Sequence, residues 1–292
     1  MPSLRDIRRR IRSIKSTAQI TKAMQMVAAA KMRKAQQAAL AGRPYAAAMN
    51  RMLAELLPTV TDFTHPLMEE RPAGKRCVLL VSTDKGLCGA LNSTLFREAI
   101  KFDPHQTVFI AAGRKAAQFL ARARRTLLAE FSYKDNPQFA EARAISRFLQ
   151  EGFLRGDFHR VDVLFMNFIS TLVQRPELLP LLPLREIRGV STDHTGAELG
   201  TELLRGATEF LFEPSPERVL GALLPHYINF RVYQVLLEAK ASEHSARMVA
   251  MKNATENANQ LVKDLTLQYN KLRQAGITKE LLEIATAQMA LS

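Results

Sequence analysis

The chain has 292 residues and 47% apolar content, enough to bury a sizeable core in one large domain or two modest ones. Its formal charge of +13 is unevenly placed: residues 1–58 carry 12 basic side chains against Asp6 and Glu55, residues 218–292 carry nine against six, and the stretch between balances at 20 against 20. Basic ends imply an acidic partner, two lone cysteines (Cys77 and Cys88) exclude a disulfide framework and fit reduced thiols in a cytoplasmic compartment, and the lack of a run of about 18 apolar residues excludes a membrane-spanning helix.

From Leu4 the chain repeats every three and four residues through Ile7, Ile11, Ile14, Ala18, Thr21, Gln25, Ala28, Met32, Ala35 and Ala39. This is a seam of 3.5-residue period, apolar except at Thr21 and Gln25. Ser3 is positioned to cap the helix, with Asp6 at the third helical position. Gly42 and Pro44 are expected to kink it. Tyr45, Met49, Met52 and Leu56 resume the spacing, and Pro58 ends it. The start, MPSLRDIRRRIRSIKS, has the Arg- and Ser-rich composition of a transit peptide, but a cleaved leader would not share its heptad register with the next 25 residues.

The middle changes period. Arg76–Ser82, Thr107–Ala112 and Val161–Ile169 read as buried strands, separated by helical patterns near 90–102, 114–125 and 137–154. Strands alternating with helices give a small parallel sheet with crossovers, an open α/β domain. The Pro-broken RPELLPLLPL, 175–184, fits an edge strand or extended segment. Residues 189–206 read as a surface connection.

A second seam, through Leu237, Ala241, His244, Met248, Met251, Thr255, Ala258, Val262, Leu265, Tyr269 and Leu272, implies a helix from about 217 to about 286. At 1.5 Å per residue it is on the order of 100 Å long, more than a core of this size can enclose. Its nearest partner is the N-terminal helix, and a strict heptad period makes such a pair supercoil left-handedly. Met24, Met26, Met32, Met248 and Met251 read as adaptable packing of the coil or as a soft surface that suits more than one neighbour in turn.

The stretch TDKGLCGALN, 83–92, has the look of a phosphate loop. A Walker loop, however, places lysine after its second glycine, and here Lys85 precedes the first. GLCG is a bare GxxG, not a dinucleotide fingerprint. The glycines instead turn a strand into a helix, leaving Asp84 and Lys85 exposed at the tip and suited to docking against another chain. None of the six histidines lies in a metal-like pattern with other ligands; His244 is read as a polar residue setting the register of its seam. No nucleophile constellation stands out. The basic run RDIRRRIRSIKS does not read as a groove-binding helix, because Ile7, Ile11 and Ile14 carry the seam through it. No aromatic residue precedes Tyr45, so stacking platforms for single strands are missing.

ITKAMQMVAAAKMRKAQ (20–36), STDKGLCGALN (82–92) and SEHSARMVAMKNATENANQLVKDLTLQYNKLRQAGITKELLEI (242–284) closely resemble the gamma subunit of F-type ATP synthase, and RPY, LLPL, FEPSP and YQVLLE match as well. The resemblance implies α/β plus long helices: an antiparallel left-handed coiled coil of the terminal helices, residues 1–58 and 208–292, around a central open Rossmann-like α/β domain, 75–206. It implies a rotor shaft inside a hexamer of alpha and beta subunits, with epsilon and the ring of c subunits at its foot, and no catalytic site, cofactor or metal of its own. By motif, Met24 corresponds to a position facing an acidic loop of beta. Arg247 corresponds to a basic position coupling the shaft to beta. Arg273, Gln274 and Thr278 correspond to polar contacts with a beta catch loop, and Asp84 and Lys85 to a loop near another catch. Gly276 departs from the pattern by lacking a side chain. No cysteine-bearing regulatory insertion is present. The resemblance therefore implies a bacterial enzyme, peripheral on the cytoplasmic face of the inner membrane.

Overall fold

The computed structural model describes residues 3–56, 64–184, 213 and 215–291. In chain order the elements are α1 (Leu4–Leu56), β1 (Arg76–Val81), α2 (Leu91–Ile100), β2 (Thr107–Ala112), α3 (Arg114–Arg122), β3 (Leu127–Phe131), α4 (Phe139–Arg155), β4 (Arg160–Phe168), β5 (Gln174–Leu182) and α5 (Pro216–Leu291). The expected connection at 189–206 lies outside the described residues. Contacts divide the chain into two compact units, cutting inside both long helices: residues up to Ala28 with those from Arg247 on, and residues 29–246.

The first unit is a helix pair. Thr21 and Thr255 share a hydrogen bond of 2.7 Å between their hydroxyls, and the Arg8 guanidinium lies 5.7 Å from the centre of the Tyr269 ring. Residue numbers rise along α1 as they fall along α5, so the helices are antiparallel. The polar interruption at Thr21 thus has a partner in the facing seam. Ile7, Ala18 and Ala28 are buried on α1, and Met251, Thr255 and Ala258 on α5, as the heptad spacing requires. Ser3 caps α1: its hydroxyl accepts the Asp6 N–H and donates to the Asp6 carboxylate at 2.7 Å, which holds that carboxyl below its usual range. In this register Leu4 lies opposite the neighbourhood of Leu272, so α5 runs on past the start of α1. Residues 277–286 are accordingly exposed.

The second unit is built on a five-stranded sheet of order β3-β2-β1-β4-β5. β1 pairs in parallel with β2 and β4, and β3 in parallel with β2; β5 adds an antiparallel edge to β4. Successive side chains point to opposite faces. Leu79, Val81, Ile110, Val163 and Phe165 pack with Leu149 and Phe153 of α4, Leu53 of α1 and Leu236 of α5. Val78, Leu80, Phe109 and Leu164 pack with Leu95 of α2 and Leu120 of α3. Both faces are covered, which is why β1 and β2 read as continuous apolar runs.

The structure departs from the sequence reading at two places in the fold. β3 was not foreseen: Leu127–Phe131 is a short edge strand that alternates half-buried and exposed side chains, and α3 stops before it, with Arg124 at φ 51° closing the turn. α1 runs through Gly42 and Pro44 as one α-helix. Pro44 offers no N–H to the Leu40 carbonyl, but Met49, Leu53 and Leu56 are anchored in the core beyond it. α5 contains Pro225, within the helix expected from about 217.

Two glycines differ in what they demand. Gly113 has φ 101°, and a Cβ there would run into the Ser82 carbonyl, so Gly113→Ala is expected to cost at least about 2 kcal/mol. Nothing lies within 4 Å of a Cβ built at Gly276, so Gly276→Ala should stabilise by about 1 kcal/mol through helix propensity. Thermal melts of the two variants would show opposite shifts in midpoint. A common sign would mean the local geometry at one of them is misjudged.

Candidate functional site

In a doubly wound sheet, ligands collect outside the carboxyl ends of the strands, where the strand order reverses. Here that point lies between β1 and β4, and TDKGLCGALN leaves from it. Its polar groups are committed to the fold. The first three backbone donors of α3 are all taken: Arg114 N–H by the Asp84 carboxylate at 2.9 Å, Lys115 N–H by the Thr83 carbonyl at 3.1 Å, and Ala116 N–H by the Ser82 hydroxyl at 2.7 Å. Asn92 binds the Thr83 hydroxyl at 2.8 Å, and the Thr83 hydroxyl donates to the Lys85 carbonyl at 2.7 Å. The expected exposure of this tip therefore holds for Lys85 but not for Asp84, which is half-buried as a cap. Cys88, next to the glycine turn, is buried.

The crevice itself is occupied by α5. Ser242 donates to the Met166 carbonyl at 2.9 Å, at the end of β4, and Ser245 to the Thr171 carbonyl at 2.7 Å. Lys240 is 1% exposed. Its ammonium lies 2.9 Å from Glu243, 3.8 Å from Asp135 and 4.5 Å from the centre of the Tyr133 ring. Tyr133 donates to the Ser82 carbonyl at 3.0 Å. Asp135, in the turn between β3 and α4, also binds Lys31 of α1 at 2.5 Å. One carboxylate thus bridges the two long helices, and one tyrosine joins Lys240 to the end of β1.

The electrostatics follow the geometry. The hydrogen bond from Lys31 holds the Asp135 carboxyl below its usual range, with Lys240 and His244 adding to it against a partial desolvation. Burial pushes the Tyr133 hydroxyl well up, aided by Glu243, Asp84 and Asp135. Burial also raises the Cys77 thiol, so it stays protonated and inert at neutral pH. Among the described residues no group of three or more His, Cys, Asp and Glu could hold a metal ion. His244 is 1% exposed and sits in this charged cluster. Sequence reasoning singled it out but missed Lys31, Tyr133, Asp135 and Lys240. The one available signal was a lysine and a glutamate three residues apart in the stretch 239–246, whose other residues are Ala, Ser and His244.

The other singled-out residues lie on helix surfaces. Met24 is half-buried beside the α1 seam and Arg247 is half-buried on α5. Arg273, Gln274 and Thr278 are exposed on α5, and the Thr278 hydroxyl donates to the Gln274 carbonyl at 3.0 Å, leaving its lone pairs outward. Arg5, Arg9, Arg10, Arg12, Lys15 and Lys22 are all exposed. So are Ile20, Met26 and Val27 on α1 and Leu267, Leu281, Leu282 and Ile284 on α5. Among the described residues no helix is long and apolar enough to cross a membrane.

The ATP synthase family profile matches residues 3–291. The ATP synthase gamma chain of Opitutus terrae is 51% identical over 292 residues, covering 99% of each chain, and that of Methylacidiphilum infernorum is 46% identical over 296 residues, covering all of both. The fold matches a chain in the OSCP, F1 and c-ring structure of Euglena gracilis mitochondrial ATP synthase at a TM-score of 0.66 and 19% identity, covering 99% of this chain and 94% of that one.

A carboxylate held below its free pKa stabilises the fold in full above the free value, near 3.8, and loses that contribution as pH falls through the lowered one. Asp135→Asn is therefore expected to cost about 1–2 kcal/mol at pH 5 to 7, the value for hydrogen bonds to charged groups discounted for partial exposure. The gap between the variant and the parent should close in melts taken well below pH 4. A gap that persists at low pH would assign the loss to packing and not to charge.

Proposed function

The chain belongs to the ATP synthase gamma chain family, and on that premise we propose that it is the central-stalk subunit and acts as the rotor shaft. Ion flow through a ring of c subunits turns it, and it drives the beta subunits of the surrounding alpha–beta hexamer through their nucleotide states. The observation that carries this reading is the antiparallel pair fixed by Thr21–Thr255 and Arg8–Tyr269. It buries one seam and leaves the outer faces uncovered, basic near the start of α1 and apolar on the overrunning end of α5. A shaft needs stiffness along its axis and contacts that can be exchanged. Exposed cations meeting acidic loops gain only about 1 kcal/mol per pair at 4 Å in water, so each attraction can be passed on during rotation. An apolar tip turning in an apolar collar breaks few directional bonds.

In this reading Met24 and Arg247 contact beta along the coil. Arg273, Gln274 and Thr278 meet a catch loop of beta, and Lys85 meets a second one. Asp84 contributes by holding that loop against α3, where its carboxylate caps Arg114. The α/β unit meets epsilon and the c ring, which place the chain peripherally on the cytoplasmic face of a bacterial inner membrane. The Asp135 bridge then has a mechanical sense: torque entering the α/β unit passes to α1 through Lys31 and to α5 through Lys240.

Arg247→Ala and Arg273→Ala leave the buried seam untouched. Each is expected to allow assembly with alpha and beta while lowering ATP-driven ion pumping severalfold relative to ATP hydrolysis, measured on purified complexes in vesicles. Normal pumping and synthesis in both variants would remove these arginines from the coupling surface.

A further inference from the structure

The amino ends of β1 to β4 lie at one edge of the sheet, because these four strands are parallel. The segments that enter them follow the strand order along that edge: 122–126 before β3, 101–106 before β2, 71–75 before β1 and 155–159 before β4. Together with Arg76 and Arg160, which open β1 and β4, they carry nine lysines and arginines against Asp103 and Asp157. Residues 59–217 balance as a whole, so the rest of that stretch is net acidic and this edge is its basic face.

Most of these cations serve the fold. Arg71 donates to the Phe153 carbonyl in the last turn of α4, and Arg125 to the Ile100 carbonyl at the end of α2. Arg76 and Arg160 pair with the buried Asp162 at 2.6 and 2.9 Å. Arg155 and Lys101 have partners in Asp157 and Glu98. Lys75, Arg122 and Arg124 are exposed and make no ion pair among the described residues. Arg122 complements the dipole of α3 from its last turn, but Lys75 and Arg124 have no such duty. Two exposed apolar side chains flank the row: Ile100 at the end of α2 is 54% exposed, and Leu154 at the end of α4 is 46% exposed. α2 and α4 cover opposite faces of the sheet, so one stands on each side of the cations. An acidic protein surface would match the cations alone. A bilayer with anionic headgroups matches both, taking the charges at its surface and the aliphatic groups just below it.

We propose that the amino edge of the sheet rests on anionic lipid headgroups, with Lys75, Arg122 and Arg124 meeting phosphates and Ile100 and Leu154 entering the interface beside them. The proposal rests on the stalk reading above. Within this unit α5 runs out at the carboxyl end of the sheet, where Ser245 binds the Thr171 carbonyl, so the amino edge is the far end and free to face a membrane. Attraction to a charged surface acts over about 8 Å at physiological ionic strength and holds no single lipid, so the edge can sweep over the bilayer as a shaft turns.

The test uses the complex of this chain with its cognate alpha, beta and epsilon subunits, in which the stalk reading puts the basic start of α1 inside the hexamer. The complex should co-sediment with vesicles of phosphatidylglycerol and phosphatidylcholine in equal parts, and not with phosphatidylcholine alone. The triple change Lys75→Glu, Arg122→Glu and Arg124→Glu should weaken that binding at least tenfold. Three reversals of the same charge elsewhere on the unit, Arg114→Glu, Arg143→Glu and Arg175→Glu, should weaken it less than twofold. Ile100→Ser with Leu154→Ser should weaken it at least threefold. Absence of binding to the anionic vesicles would overturn the proposal, and so would equal losses in the two triples, which would assign the attraction to net charge. Vesicle binding that survives the edge reversals while epsilon is lost on gel filtration would make the edge a protein interface and would overturn it as well. ATP-driven rotation of the same complexes reads the stalk role separately, so a failure to bind lipid is distinct from a failure of that role.

Discussion

A lysine buried to 1% exposure must be matched, and the way Lys240 is matched organises the α/β unit. Glu243 supplies a charge on the same helix, Asp135 a second from the turn after β3, and Tyr133 an aromatic face. Each of these partners is itself tied elsewhere. Asp135 reaches Lys31 on α1, and Tyr133 reaches the carbonyl of Ser82, whose hydroxyl caps α3. Removing any member would leave another polar group buried with fewer partners, so the network specifies one seating of α5 on the sheet as well as contributing stability. The crevice where related sheet architectures hold ligands is filled here by the chain's own helix, pinned by Ser242 and Ser245 to backbone carbonyls. A site of binding has become a site of fastening.

The two units divide the physical requirements of a shaft. In the coil, heptad packing on one seam leaves the other faces free to carry chemistry for partners, and most of the chain's net positive charge lies there. In the α/β unit, burial on both faces of the sheet fixes the strands, and the charged side chains that are buried work inward. The exposed lysine of the glycine turn and the half-buried aspartate beside it show this division within two residues: Lys85 faces outward, while Asp84 holds a helix start.

Much of this was legible because it rests on periodicity. Seams repeat over tens of residues, so the helices, their pairing and the buried strands β1, β2 and β4 could be read from spacing alone. The antiparallel direction came from the family resemblance, and the Thr21–Thr255 and Arg8–Tyr269 contacts together bear it out. Local rules failed where tertiary contacts overrode them. Pro44 was read as a kink, yet α1 continues because Leu53 and Leu56 are held in the core. β3 escaped notice because five alternating residues at a sheet edge carry little signal. The Asp135 cluster was invisible for a deeper reason: its members lie at 31, 133, 135, 240 and 243, and only the fold brings them together. Cys88 could pass for a surface residue of the loop until burial placed it inside.

The central claim is that this chain turns. It is tested most directly by reconstituting it with its cognate alpha and beta subunits and observing a bead fixed to a cysteine introduced at the exposed Gln118 on α3, with Cys77 and Cys88 buried and out of reach of the label. On addition of ATP the account predicts one-way rotation in discrete steps. A complex that hydrolyses ATP while the bead stays still would leave the chain a scaffold for the hexamer and would contradict the mechanical reading.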